Sequence, residues 1–173
     1  MLLYGSLDQS SSESVTMAPQ SNIYEAGTAD FRALFDGYID DDSPCIALAV
    51  SAEPLDQTAR SAIEKSLEAL GYGKSACSFA TLAPHGSSAD AGVKLDAGSL
   101  FLLVEALDPL LLVISDEESA RLTAQAYRTA FDLDAPTRIF GRPAAVFGNL
   151  AKLLTTKEGK QRVWRVFKAF PRR

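Results

Sequence analysis

The sequence predicts an α/β fold: a three-layer α/β/α sandwich around a mainly parallel central sheet of about four strands. Three observations predict it. Cys45-Ile46-Ala47-Leu48-Ala49-Val50 and Leu110-Leu111-Leu112-Val113-Ile114-Ser115 are continuous apolar runs. Continuous rather than alternating hydrophobicity marks strands covered on both faces, as in a parallel sheet. The segments between such runs carry apolar residues at helical spacing, so strands and helices alternate along the chain.

Residues 6–22 are Ser-rich and poor in apolar side chains, so residues 1–27 read as an arm and residues 28–173 as one domain. Phe31, Leu34, Phe35 and Tyr38 form one helical face, with Thr28 or Asp30 as the cap. The acidic turn Asp40-Asp41-Asp42 leads to the first core strand at 45–50. Pro54 then stands near a helix start, where its missing N–H costs little. Leu55, Ala59, Ile63, Leu67 and Leu70 give that helix its buried face, and Gly71 and Gly73 close it. Ala76 to Thr81 is the second strand, and a loop runs from Pro84 to Gly98. Leu100, Leu103, Val104 and Leu107 mark a helix that stops at Asp108-Pro109. After the third strand, at 110–115, Ser115 or Asp116 caps a helix to about Ala130. Arg138-Ile139-Phe140 and Ala144 to Phe147 flank a Gly141-Arg142-Pro143 turn, and one of them is the fourth core strand. The last helix buries Val163, Val166, Phe167 and Phe170.

At 173 residues the chain is sized for one domain. No apolar run approaches the roughly 20 residues of a membrane span. Met1-Leu2-Leu3 lacks the basic and apolar regions of a secretory signal, so a cytoplasmic location is expected. Cys45 and Cys77 adjoin strands and lack metal-site spacing, which predicts buried thiols and no metal. The lone His85 lies in a loop, leaving little support for a His-based metal site or a Ser-His-Asp triad. No Gly-x-Gly-x-x-Gly, Walker loop or Gly-x-Ser-x-Gly occurs, and no cofactor is implied. Residues 150–173 hold eight cations against the single acid Glu158, a net of +7. With −5 for the whole chain, the remainder carries −12. Such a split points to a polyanion-binding end or to a solvated helix beside an acidic face.

Ligands of such folds bind at the carboxyl ends of the strands. That places the candidate site at Ser51 to Pro54, Thr81 to His85, Ser115 to Glu118 and Phe147 to Lys152. Four ordered segments add a resemblance. Ile46 to Pro54 is a strand running into Glu53-Pro54. Phe79 to Pro84 is a strand ending in Thr81-Leu82 before a proline. Leu102 to Val113 is a helix, a proline and a strand. Ala144 to Leu154, followed by Lys160 to Trp164, is a strand, a Gly148-Asn149 loop, a Leu-Leu pair and a helix with Lys and Trp. Over roughly residues 30–170 this order resembles the uracil-DNA glycosylase superfamily, especially its small bacterial branches. In that family the corresponding loops read Gly-Glu-x-Pro-Gly, Thr-Asn, Leu-Gly and His-Pro-Ser.

The resemblance implies a glycosylase-like fold, DNA as the candidate partner and Glu53 and Asn149 as the candidate catalytic residues. Ser51, Pro54, Thr81, Leu82 and Phe147 would line the base or ligand pocket. Arg142, Lys152, Lys157 and Arg162 would contact phosphates. The departures fall on the chemistry. The first-loop glycines are missing, and Glu53 serves either as a base or as a partner of a helix dipole. The base-reading Asn aligns with Leu82, the His with Asn149, and Ser115-Asp116 stands where the family has Leu-Gly. Three readings follow: a divergent nucleic-acid-binding relative without standard uracil excision, a non-catalytic domain that binds a protein or small ligand, and a glycosylase of altered base specificity.

Overall fold

The computed structural model describes residues 33–40, 45–85 and 93–173. The Ser-rich arm, the first half of the opening helix and the tip of the 84–98 loop lie outside them. Within them the chain is α/β, with six strands in one mixed sheet. β1 is Ile39–Asp40, β2 Ala47–Ser51, β3 Cys77–Thr81, β4 Leu111–Ile114, β5 Ala135–Ile139 and β6 Arg142–Val146. The order is β1-β3-β2-β4-β6-β5. β3, β2, β4 and β6 are mutually parallel, while β1 and β5 add antiparallel edges. The expected four strands are therefore the parallel core of a six-stranded sheet. The edges were harder to foresee because each buries less side chain: neither residue of β1 is fully buried, and only Ile139 is in β5.

Both candidate segments around Gly141 are strands, joined as a hairpin. The turn is Phe140-Gly141, not Gly141-Arg142-Pro143: Ile139 pairs with Arg142, and Phe140 and Gly141 take φ of 53° and 82°. Two residues at positive φ are what a tight type I′ hairpin needs. Pro143 sits near the start of β6, where a missing N–H is tolerated.

The helices are α1 Gln57–Ala69, α2 Ala97–Leu107, α3 Glu117–Tyr127, α4 Leu150–Leu153 and α5 Lys157–Phe167. α1 begins three residues after Pro54, with Asp56 as its cap. α3 ends at Tyr127 rather than Ala130, because Arg128 turns left-handed at φ 50° and its N–H closes the last turn. The short α4 has too few residues to show a helical period.

Alternate residues of the parallel strands enter two separate cores. Ala47, Ala49, Phe79, Val113 and Phe147 pack against α1, α4 and α5 through Ile63, Leu67, Leu150, Val163 and Phe167. Leu48, Val50, Leu112, Ile114 and Val146 pack against α2 and α3 through Leu100, Leu103, Val104 and Leu122. These are the three layers. Leu111–Ile114 is buried throughout, as its unbroken apolar run requires. Both thiols are reduced; Cys77 is buried, Cys45 only partly. Burial pushes the Cys77 thiol well above its ordinary range, so it is unreactive.

One polar network ties the second core together at the starting end of β6. Arg142 makes a two-pronged contact with Glu105 at 2.7 and 3.0 Å and reaches Asp108 at 2.9 Å. Tyr127 donates to the same Glu105 carboxylate at 2.7 Å. Hydrogen bonds from Arg142 hold the Glu105 carboxyl below its ordinary value of 4.5. A lowered native pKa contributes stability that is fully present above the unfolded value and is lost as pH falls through the native one. Thermal unfolding of the wild type should therefore lose stability below about pH 4.5. Glu105→Gln should be less stable at pH 7 and show a shallower acid limb. Parallel acid limbs in the two proteins would contradict this.

Candidate functional site

Three strand exits meet at one cleft. Its walls come from the β2–α1 loop (Ala52 to Asp56), the β4–α3 junction (Ser115 to Glu118) and the β6–α4 junction (Gly148, Asn149 and Ala151). Its volume is about 510 Å³, within the range of small-molecule sites.

Asp116 assembles it. Its Oδ1 accepts from Ser119 N–H at 2.8 Å and so caps α3. Its Oδ2 accepts from Ala52 N–H at 2.7 Å and so ties the β2 exit to the β4 exit. Backbone bonds from Glu117 N–H to Gly148 and from Leu150 N–H to Ser115, each 2.9 Å, join the β6 exit to the same point. Asn149 caps α4, its Oδ1 accepting from Lys152 N–H at 2.8 Å.

Ser115 forms the floor. It is 2% exposed, and its Oγ is the one buried side-chain nitrogen or oxygen without a hydrogen-bond partner among the described residues. An unpaired buried hydroxyl costs about 1–3 kcal/mol, a cost that a water or a ligand group would offset. Ser115→Ala should leave Tm unchanged or raise it by up to about 3 °C, because it removes this cost. A clear fall in Tm would show that the hydroxyl is already satisfied.

The rim is acidic. Glu53, Asp56, Asp116, Glu117 and Glu118 line the cleft, and no Lys, Arg or His does. Asp56 and Asp116 are engaged as helix caps, and Glu118 pairs with Lys94. The carboxylates of Glu53 and Glu117 have no ion-pair or hydrogen-bond partner among the described residues. No group of three or more His, Cys, Asp or Glu side chains among them is arranged to hold a metal ion.

Of the residues singled out from the sequence, Glu53, Pro54 and Asn149 line this cleft. Four pocket candidates do not. Leu82 is fully buried in the core beneath α2 and α3, and Phe147 is fully buried against Phe167, ring centroids 5.8 Å apart. Ser51 and Thr81 are also buried, and Thr81 Oγ donates to Ala83 O at 2.6 Å. Phe79 is a core residue with the Arg60 guanidinium 4.5 Å from its ring centroid.

The cations divide similarly. Arg142 stands at the starting end of β6 in the Glu105 network, and Arg162 lies 3.5 Å from Asp134. Arg142 is committed to the Glu105 and Asp108 carboxylates, whereas Arg162 stays largely exposed beside Asp134. Lys152 lines a second pocket, of about 370 Å³, with Asn149, Asp134 and Thr156. Lys157 is exposed at the start of α5.

His85 joins the β1–β3 edge instead of the cleft. Its Nε2 is 2.9 Å from Asp40 and 3.4 Å from Thr81 Oγ, and Asp40 also pairs with Arg60. A catalytic triad needs one ring nitrogen on the acid and the other on the nucleophile. One nitrogen facing both makes this cluster a structural tie.

A scan against protein-family models and a search of curated proteins found no match to this chain. The geometry therefore carries the assignment of the site. The sequence places Ser115 and Asp116 at the site and offers either as the helix cap; the structure gives the cap to Asp116 and adds its bond to Ala52 and the unpaired Ser115 hydroxyl. The signal available was a Ser-Asp pair directly after the most apolar strand, where a cap and a buried hydroxyl are both natural.

Proposed function

We propose that this chain is a divergent uracil-DNA glycosylase-like domain that binds a small ligand at its strand-end cleft and does not excise uracil. The observation that carries the reading is the unpaired Ser115 hydroxyl at the floor of that cleft. The family likeness rests on the order of the four sequence segments, two of which contain the exits of β2 and β6 that line the cleft.

Loss of excision follows from what surrounds the cleft. Extruding a base costs a few kcal/mol, recovered by stacking and Watson–Crick-edge contacts. Leu82, at the base-reading position, offers no hydrogen bond and is buried. Phe79 and Phe147 are committed to the core. Asn149 spends its side-chain oxygen on the α4 cap. The acidic rim repels phosphates, where a nucleic-acid site needs cations.

The test is a fragment screen read by amide NMR shifts. Binders should move Ala52, Ser115, Asp116 and Gly148 together. Binders that move only residues of a separate groove, between α1 and α5 and lined by Ser61, Lys65, Lys160 and Trp164, would overturn the reading.

A second reading is favoured by the basic end. Lys157, Lys160, Arg165 and Lys168 are exposed on or beside α5 and have no ion pair among the described residues. They could meet a polyanion away from the cleft. Binding to a DNA duplex at low salt, falling steeply as salt rises, would support it. Salt-independent or undetectable binding would remove it.

A further inference from the structure

We infer that the strand-end cleft takes an organic cation, an alkylammonium or guanidinium carried on a short aliphatic chain. The inference rests on the cleft being a ligand site and names the class of ligand.

The charge of the walls points to it. Five carboxylates line the cleft without a single basic side chain. Glu53 and Glu117 have no counter-charge among the described residues, so a cation would gain two carboxylates already in place.

An anion is the alternative that helix N-termini usually favour. Of the three helix starts at the cleft, α1 and α3 already hold a carboxylate, and the four-residue α4 is capped by the Asn149 amide. Asp56 accepts from Ala59 N–H and Asp116 from Ser119 N–H, each through Oδ1. The attraction those termini offer is met by the chain itself. A bare metal ion is also disfavoured, since no three ligating side chains among the described residues converge.

Hydrogen bonding fits the same class. Ammonium and guanidinium groups carry only donors, three and five respectively. Ser115 Oγ has free lone pairs, and Glu53 and Glu117 only accept. The remaining wall is apolar, with Ala52, Pro54, Leu55 and Ala151 suited to a methylene chain. Such a cation has two sources: a free amine, or a Lys or Arg side chain presented by another protein.

Calorimetry on the full chain at low salt and neutral pH tests this. The probes are n-butylammonium, n-butylguanidinium and the capped tripeptide acetyl-Gly-Arg-Gly-amide. Butanol, butyrate and uridine serve as neutral and anionic controls. At least one cation should bind saturably at one site, about tenfold or more tighter than butanol or butyrate. Glu53→Gln with Glu117→Gln should weaken it about tenfold while leaving thermal unfolding unchanged. Ser115→Ala should weaken it by several-fold. Tighter binding of the tripeptide than of n-butylguanidinium identifies a protein side chain as the source; the reverse identifies a free amine.

No saturable binding of any cation, or binding unaffected by the double substitution, overturns the inference. If uridine alone shifts the Ser115 and Gly148 amides, the cation class fails while the cleft remains a ligand site. If no probe of any charge shifts them, both fail.

Discussion

Asp116→Ala should destabilise the domain by about 2–4 kcal/mol and loosen the cleft at once. The magnitude combines two losses. An N-cap contributes about 1 kcal/mol, and a backbone N–H left without its charged acceptor costs about 1–3 kcal/mol more. Both oxygens of Asp116 are used, one on Ser119 at 2.8 Å and one on Ala52 at 2.7 Å. Asp116→Asn keeps one acceptor and should recover about half of the loss. Urea unfolding measures both, and amide exchange at Ala52 should rise in the Ala variant. An Asp116→Ala protein as stable as the wild type would show that the three strand exits hold together without this side chain.

Gly159→Ala should cost about 3 kcal/mol, through steric conflict rather than a lost bond. A Cβ at this position would lie 1.8 Å from the Leu153 carbonyl oxygen and 2.9 Å from Thr156 Oγ. The first turn of α5 therefore rests directly on the end of α4. Thr156 caps α5 by accepting from Gly159 N–H at 3.0 Å, so the cap and the close approach share one residue. Widening this junction should also shift α4 and, through Asn149, one wall of the cleft. Chemical denaturation reports the loss. A Gly159→Ala protein within about 0.5 kcal/mol of wild type would mean that the helices part freely.

The parallel core was legible because its strands are covered on both faces, which leaves an unbroken apolar run such as Leu111–Ile114. The edge strands were not, because β5 mixes Pro136, Thr137 and Arg138 between partly buried positions. Pro143 reads as a turn residue in isolation, yet it lies in β6 opposite Arg138. At the site, Glu53, Pro54 and Asn149 were within reach because each follows a strand end. Leu82 and Phe147 also follow strand ends, but their chains turn inward into the two cores, a choice made by tertiary packing. Counting charges could not separate Arg142, held by Glu105 and Asp108, from the exposed cations of α5. Nor could it show that Ser115 lacks a partner, since that depends on chain segments far apart in sequence.

We propose that this domain keeps a strand-end binding cleft and does not excise uracil. Incubating the purified chain with single- and double-stranded DNA containing one uracil, and measuring abasic-site formation, tests it most directly. No abasic sites above a protein-free control is the predicted result. Uracil release that disappears in Glu53→Gln or Asn149→Ala would contradict it.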